Sequence, residues 1–406
     1  MARQELTRSK ALEYRRASKK KKGVILDRLV EDTGWSRDNA RRQLRHFLNA
    51  PVKKRRPKSL KYSVRSRQIL ANAWILSGCA CSSYFVAQIS DGVLGRLISH
   101  KELKDGPKNS GALVMTDDGA LAEVLQMSPA TIDRYLRRLR KELQPLARST
   151  TKTTWTLRNE IPFGKSYERR IGPGYLSTDT VAHCGSTLKG EHLWTLNSTD
   201  TYTGWTETVT VKNRAKKWIV QGHDEILESF PFKVIAVNYD GGSEFINREM
   251  INYAKMHDYQ MTRSRPYHSN DNAHIEQKNG AIVRKYAFRF RYEGKTTQDI
   301  LNALWYWVNL RKNYLVPTRK CIGHTKTNSG RTHGVYDKPK TPYRRVMESM
   351  AVSAHSKVAI TRIYKGLNDA KITRQINQLQ QVLIEHIRDP DMIGYINEVV
   401  KAAKAA

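Results

Sequence analysis

The sequence predicts a multidomain chain: all-α units at the N-terminus, a central α/β domain, and a basic, helical C-terminal tail. Three observations carry this. Apolar residues recur at helical spacing between Ile25 and Leu143. The apolar run Val234–Tyr239 ends in Asp240-Gly241-Gly242, the way a buried strand delivers an acid to the edge of a sheet. The formal net charge over 406 residues is +33, from 71 Lys plus Arg against 38 Asp plus Glu, a surplus that calls for a polyanionic partner, most often nucleic acid. No apolar run approaches the roughly 20 residues that span a bilayer, and the N-terminus lacks a secretory apolar region. A membrane partner is therefore not expected, and a cytoplasmic, nucleoid-associated location is. The four cysteines, Cys79, Cys81, Cys184 and Cys321, form no CxxC pair and are expected to be free, mostly buried thiols.

Residues 1–60 predict a helix-turn-helix DNA-binding domain. Ile25, Leu26, Leu29 and Val30 give one helix, Gly34 ends it, and Ser36 caps the next. That second helix turns Ala40, Leu44 and Phe47 inward and Arg37, Arg41, Arg42 and Arg45 outward, as a groove-reading helix does. Arg15–Lys22 and Lys53-Lys54-Arg55-Arg56 flank it as basic clusters suited to phosphates. Residues 61–150 predict a second helical, helix-turn-helix DNA-binding domain, with helices near Val64–Leu76 and Tyr84–Leu97. Ser128-Pro129 then starts a helix that buries Ile132, Leu136, Leu139 and Leu143 and exposes Arg134, Arg137, Arg138, Arg140 and Lys141. Residues 151–170 are polar, aperiodic and basic, and predict a linker.

Residues 171–314 predict the catalytic domain. Tyr175–Ala182 is the first strand; His192–Asp200 and Thr203–Lys212 form a hairpin; Trp218–Phe230 is an amphipathic helix; Lys233–Tyr239 is the buried strand. A helix over Phe245–His257, a short strand over Tyr259–Thr262 and a long helix over Asn272–Phe290 follow. The order β-β-β-α-β-α-β-α is that of a ribonuclease H-like domain. In it the first and fourth strands are neighbours, so Asp179 and Asp240 come side by side, and Glu276 joins them from the last helix. Three carboxylates so close repel one another unless a cation neutralises them. All-oxygen ligation suits Mg²⁺ (or Mn²⁺). Two ions per active site, about 3.5–4 Å apart, are the arrangement that serves in-line displacement at a phosphodiester. Arg263, Arg265, Lys278, Arg284 and Lys285 are the cations expected near the DNA there. Asp200, in a hairpin turn, is a less favoured first acid, because Asp is common in turns for local reasons. His183, His268 and His274 are read as structural or DNA-contacting.

Five segments carry a family resemblance: Asp179-Thr180-Val181-Ala182-His183-Cys184-Gly185, Thr203-Gly204-Trp205-Thr206-Glu207, Asp240-Gly241-Gly242-Ser243-Glu244-Phe245, Arg263-Ser264-Arg265-Pro266-Tyr267 and Asn270–Asn279. Residues 175 to about 345 resemble the integrase-core (DDE) transposases of bacterial insertion sequences, within the retroviral-integrase superfamily, and look most like the ISNCY group. The resemblance implies that Asp179, Asp240 and Glu276 are the DDE triad. It also implies hydrolysis at the 3′ end of a mobile element, then attack of that 3′-hydroxyl on target DNA. The chain departs from the pattern at Gly241-Gly242, where the family usually has Asn-Gly. It lacks the HHCC zinc module, and Gly280 and Val283 stand where retroviral integrases carry lysines. Double-stranded DNA, both element ends and target, is the expected partner, and joining two ends calls for a homo-oligomer, a dimer or tetramer. The competing readings are a non-catalytic sequence-specific DNA-binding regulator and a junction nuclease.

Residues 315–406 predict a basic arm and C-terminal helices. Trp305, Tyr306 and Trp307, on the last core helix, are read as packing. Arg311–Arg345 reads as an extended arm on DNA, with no zinc spacing among Cys321, His324 and His333. Val358–Ile387 reads as one or two amphipathic helices, with a stripe of Ile372, Ile376, Leu379, Leu383 and Ile387. The alanine-rich end, residues 402–406, is expected to fray.

Overall fold

The computed structural model describes residues 2–49, 61–103, 118–143, 172–239, 245, 248–263, 273–326, 332–389 and 393–405. Lys53, Lys54, Arg55, Arg56, Arg265 and the linker expected at 151–170 lie outside them. The chain divides into two compact units, Met1–Lys61 and Tyr62–Ala406.

The described residues of the first unit form the helices α1 (Ala2–Arg16), α2 (Lys19–Thr33) and α3 (Arg37–Asn49). The Ser18 hydroxyl accepts the Lys21 amide at the start of α2, and Gly34, at φ 69°, ends it in the left-handed region that glycine tolerates best. Ser36 then accepts the Asn39 amide at 3.3 Å, so α3 starts where its capping residue stands. Leu26, Leu29, Ala40 and Leu44 bury against Ala11 of α1. Helix α1 was not expected. Its apolar residues are few, and the basic residues after it dominate the pattern.

The second unit opens with α4 (Val64–Leu76), α5 (Ser82–Ser90), α6 (Val93–Ser99), α7 (Asp118–Leu125) and α8 (Pro129–Leu143). The single helix expected over Tyr84–Leu97 is two, because Gly92 takes φ 87° and breaks it. Ser128 caps α8, accepting the Thr131 amide, and Ile132 and Leu136 bury against Trp74, Phe85 and Val124.

The central sheet comprises β1 (Tyr175–Ala182), β2 (Trp194–Asp200), β3 (Thr206–Val211), β4 (Ala236–Tyr239) and β5 (Gln260–Arg263), in the order β3-β2-β1-β4-β5. β1–β2 and β2–β3 pair antiparallel; β1–β4 and β4–β5 pair parallel. Helices α9 (Lys216–Ser229), α10 (Arg248–Met256), α11 (Ala273–Asn279) and α12 (Gly294–Leu310) complete a ribonuclease H-like domain. Helix α9 buries Ile219 and Ile226, and α12 buries Leu301, Leu304, Trp305, Trp307 and Val308. Trp305 and Trp307 are therefore core, while Tyr306 is half exposed.

Beyond α12 the chain differs from the expected extended arm. Arg311–Leu315 prolongs α12 as a π-helical turn, β6 (Cys321–Lys326) and β7 (Thr332–Tyr336) form a separate two-stranded ribbon, and α13 (Pro342–Glu348) follows. The tail is α14 (Ala354–Gly366), α15 (Asp369–Arg388) and α16 (Ile393–Ala405). Ile372, Ile376, Leu379 and Leu383 are buried as the stripe predicts, whereas Ile387 is exposed. Within the end expected to fray, Ala403 lies in α16, is 1% exposed, and its carbonyl accepts the Trp307 indole N–H at 3.1 Å. The thiols also differ from expectation. Cys79, Cys81 and Cys321 are exposed, Cys184 is half-buried, and all four are free. Among the described residues no helix is long and apolar enough to cross a membrane.

Candidate active site

The parallel pairing of β1 with β4 runs Tyr175↔Ala236 to Thr178↔Tyr239. Asp179 is the residue after Thr178, and Asp240 the residue after Tyr239. Asp240 itself lies outside the described residues, as do Gly241–Glu244. Phe245, described just beyond, is fully buried and stacks on Tyr239 with ring centroids 4.7 Å apart. That contact holds the chain close to the end of β4.

Asp179 is half-buried, and both its oxygens are engaged. Oδ1 accepts the Thr180 amide at 2.7 Å, and Oδ2 accepts Nδ2 of Asn279 at 2.6 Å. Asn279 is the last residue of α11. Its Oδ1 in turn accepts Nδ2 of Asn197 on β2 at 2.8 Å, and Asn197 Oδ1 accepts the Thr208 hydroxyl on β3 at 3.2 Å. Every proton in this chain points toward Asp179. Asn197, Thr208 and Asn279 are all buried, where an unmet amide is costly, so the orientation of each is fixed by the next. Asp179 and Asn197 are register partners, which puts them on one face of the sheet.

Glu276 lies in α11, three positions before Asn279 and so on the same helical face; its side chain is outside the described residues. Among the described residues, no group of three His, Cys, Asp or Glu is placed to hold a metal ion. After Asn279 the helix widens into a π-helical turn, Gly280–Arg284, which turns Ile282 and Val283 both inward.

The uncharacterized protein y4rM of Sinorhizobium fredii (strain NBRC 101917 / NGR234) is 30% identical over 353 residues, covering 84% of this chain and 94% of that one. The integrase core domain matches residues 171–269. The chain belongs to the integrase-core family of DDE transposases and integrases. Among solved structures it is similar to the catalytic core of BIV integrase, at 14% identity over 29% of this chain and 70% of that one, with a TM-score of 0.24. It is likewise similar to the HTLV-2 integrase catalytic core in its dimeric form, at 14% identity over 37% of this chain and 93% of that one, with a TM-score of 0.29. The matched core contains Asp179 and Asp240; Glu276 follows its end.

Other acids and cations of this integrase-core protein take clear places. Asp200 is buried and accepts the amides of Gly174 and Tyr175 and both the amide and hydroxyl of Thr203, so it holds the hairpin rather than facing the site. Burial nonetheless pushes its carboxyl above the usual range. His183 is buried against the Thr195 hydroxyl at 2.7 Å, and burial pulls its imidazole down to about 3, which makes it structural. Lys278 turns inward and donates to the Gly204 carbonyl at 3.1 Å, tethering α11 to the hairpin turn. Burial, with Lys312 and Arg345 nearby, brings its amine down to about 7. Arg284 is exposed, as are Arg134, Arg137 and Arg138 of α8. On α3, Arg37, Arg42 and Arg45 are exposed and Arg41 is half-buried; Arg37 pairs with Asp27 and Arg41 with Asp38. Arg263 ends β5, and its side chain is outside the described residues.

Sequence reasoning missed Asn279 and Asn197. The signal was present for both. Asn279 shares a helical face with Glu276, and Asn197 interrupts the alternating threonines Thr195 and Thr199 on the strand facing Asp179.

Proposed function

We propose that the chain is a DNA transposase that binds the ends of a mobile element, hydrolyses the phosphodiester at each 3′ end and joins the 3′-hydroxyls to target DNA. The hydrogen bond from Asn279 to Asp179 carries this reading, because it brings the helix of Glu276 to the middle of β1, where the pairing with the strand that leads into Asp240 stops. Asp179, Asp240 and Glu276 supply oxygen donors only, a set that fits Mg²⁺ or Mn²⁺. Asp179 fits such a role, as its carboxylate is half-buried and held in one orientation by N–H donors. Divalent ions bound there, two per active site, would activate the attacking oxygen and stabilise the leaving one.

In the first step a water oxygen attacks phosphorus, the bond to the 3′ oxygen breaks, and that oxygen leaves as a hydroxyl on the element. In the second, the same hydroxyl attacks a target phosphodiester and displaces a 3′ oxygen there. The three carboxylates set the positions of the reacting groups, and Asn279 sets that of Asp179. The exposed arginines of α3 and α8 supply phosphate and groove contacts in two helix-turn-helix units, consistent with the +33 charge. A dimer or tetramer pairs the two ends.

The test is incubation of the full chain with end-labelled element DNA in Mg²⁺ or Mn²⁺, followed by analysis of nicked and joined strands. Asp240→Asn should abolish both products and leave most duplex binding intact, since only the acid is neutralised. Nicking at the wild-type rate by that variant would remove Asp240 from the triad. Duplex binding without products, in either ion, would favour a regulator that retains the fold.

A further inference from the structure

The ribbon β6–β7 has no place in the core of the fold. Every residue of both strands is exposed except Gly323, which is half-buried. Ile322, Val335 and Tyr336 are 64%, 37% and 57% exposed, more apolar surface than a free ribbon needs. A two-stranded hairpin is marginal by itself in water, yet the base of this one is firmly tied. Thr318 and Lys340 exchange backbone hydrogen bonds, Asp337 accepts the Lys320 amide at 2.7 Å, and the buried Arg345 guanidinium holds both Asp337 and the Thr318 carbonyl. The foot is fixed to α13, and the strands project from it. Residues 327–331, which join the strands, lie outside the described residues.

The two faces differ. The register pairs Lys326 with Thr332, His324 with Gly334 and Cys321 with Tyr336, and a bulge after Cys321 keeps these on one face. The Cys321 thiol indeed lies 3.8 Å from the His324 ring. This face carries a cation, a ring donor and an aromatic, with glycine opposite His324 keeping the middle flat. No acidic residue occurs between Asp299 and Asp337.

We infer that the β6–β7 ribbon enters the major groove of duplex DNA. The inference rests on the transposase reading above and names the surface and the groove. The major groove of an undeformed duplex, about 12 Å wide, admits a two-stranded ribbon, whereas the minor groove, about 6 Å wide, admits one only when the DNA is bent and the groove opened. Charge selects the occupant. A second copy of this chain would bring another acid-free, cationic ribbon and the same +33 surplus against it, whereas DNA brings phosphates along both rims. His324, Lys326, Thr332 and Tyr336, which share a face, then meet base edges, thymine methyls and phosphates, and Val335, on the other face, loses water against the groove wall.

Cys321 provides the test. The full chain is mixed with a 30-base-pair duplex carrying a disulfide-activated thiol tether on a cytosine N4, in the major groove, or on a guanine N2, in the minor groove. The first should cross-link, the second should not, and Cys321→Ser should remove most of the adduct. In parallel, a variant with residues 322–335 replaced by two glycines keeps the tied foot. It should bind the same duplex several-fold more weakly, with a salt slope lower by about 1 or more as Lys326 leaves. Equal cross-linking by Cys321→Ser, or duplex binding and salt slope unchanged in the shortened variant, overturns the ribbon assignment alone. Loss of self-association with duplex affinity intact also overturns it and makes the ribbon a subunit contact. A wild-type chain that binds no duplex overturns the transposase reading and this inference together.

Discussion

At the scale of single residues, the unusual feature is the relay from Thr208 through Asn197 and Asn279 to Asp179. A carboxylate in a metal-dependent site is only as well placed as the groups behind it, and loss of such supporting partners typically lowers metal affinity or activity about 10–100-fold. Asn279→Leu keeps the volume and removes the N–H donor, so nicking should fall by about that factor, with Mn²⁺ affinity by calorimetry falling in step. Asn197→Ala should act in the same direction. Because Asn197 reaches Asp179 only through Asn279, the double variant should be no worse than Asn279→Leu alone. Additive losses, or a fall in Tm with Mn²⁺ affinity unchanged, would make Asn279 a packing residue and nothing more. Their spacing hints at a shared face with Glu276 and with Asp179, but threonine and asparagine are ordinary strand and helix residues, so the spacing does not say what they hold. It becomes visible only when β1, β2, β3 and α11 are laid together.

At the scale of elements, the sequence was most legible where burial and chemistry agree. β1 could be read to its ends because Tyr175–Ala182 is strand-forming and bounded by glycine on one side. β4 could be read because only a buried strand is so apolar, although its first residues, Lys233–Ile235, lie outside the ladder. The elements that were missed turn on tertiary context. Helix α1 has little apolar pattern of its own, the hairpin β6–β7 has exposed strands with no alternation, and α16 is held by Trp307 rather than by any capping signal. The seam between β3 and α12 was equally hidden. Glu207 is buried there, accepting N–H donors from Trp205, Asn309 and Asn313 with no cation paired to it among the described residues, and burial pushes its carboxyl up to about 8. A folded value above the unfolded 4.5 means that the fold prefers the protonated acid. Stability from this group is complete below about pH 4.5 and is lost as pH rises through about 8, by up to about 1.4 kcal/mol per pH unit in that window. Glu207→Gln removes the titration. Asn309 Oδ1, buried and without a hydrogen-bond partner, can accept the new amide once its own amide rotates. The Tm of this variant should match wild type near pH 5 and exceed it by several degrees near pH 9. Parallel melting curves at both pH values would show that Glu207 is already ionised in the fold.

At the scale of the second unit as a whole, Tyr62–Ala406, the tail acts as a bracket. Helix α15 packs on α12 of the catalytic core and on α4 and α6 of the helical segment that leads to α8. Ala370 sits in the hydrophobic core of that segment. Polar ties reinforce the contact. Arg96 of α6 holds both oxygens of Asp369 at 2.7 and 3.1 Å and meets the Tyr364 hydroxyl, His100 reaches the Leu367 carbonyl, and Thr373 donates to the Leu76 carbonyl. Arg374 pairs with Glu102 nearer the surface. These two ion pairs should behave differently. In the Arg96–Asp369 pair the side chains are 12% and 2% exposed, so Asp369→Ala strands a buried guanidinium, a change of about 3–5 kcal/mol. Arg374 is 56% exposed, and Arg374→Ala should cost under about 1 kcal/mol. The joint variant Arg96→Met with Asp369→Leu removes both charges together and should recover most of the loss. If α15 is the bracket that fixes the arginine face of α8 against the catalytic core, Asp369→Ala should also raise amide hydrogen exchange in α4 and α6 before it does so in β1 and β2. Uniform exchange across the unit, or equal effects of Asp369→Ala and Arg374→Ala on Tm, would mean that apolar packing holds these elements together and the buried pair only decorates it.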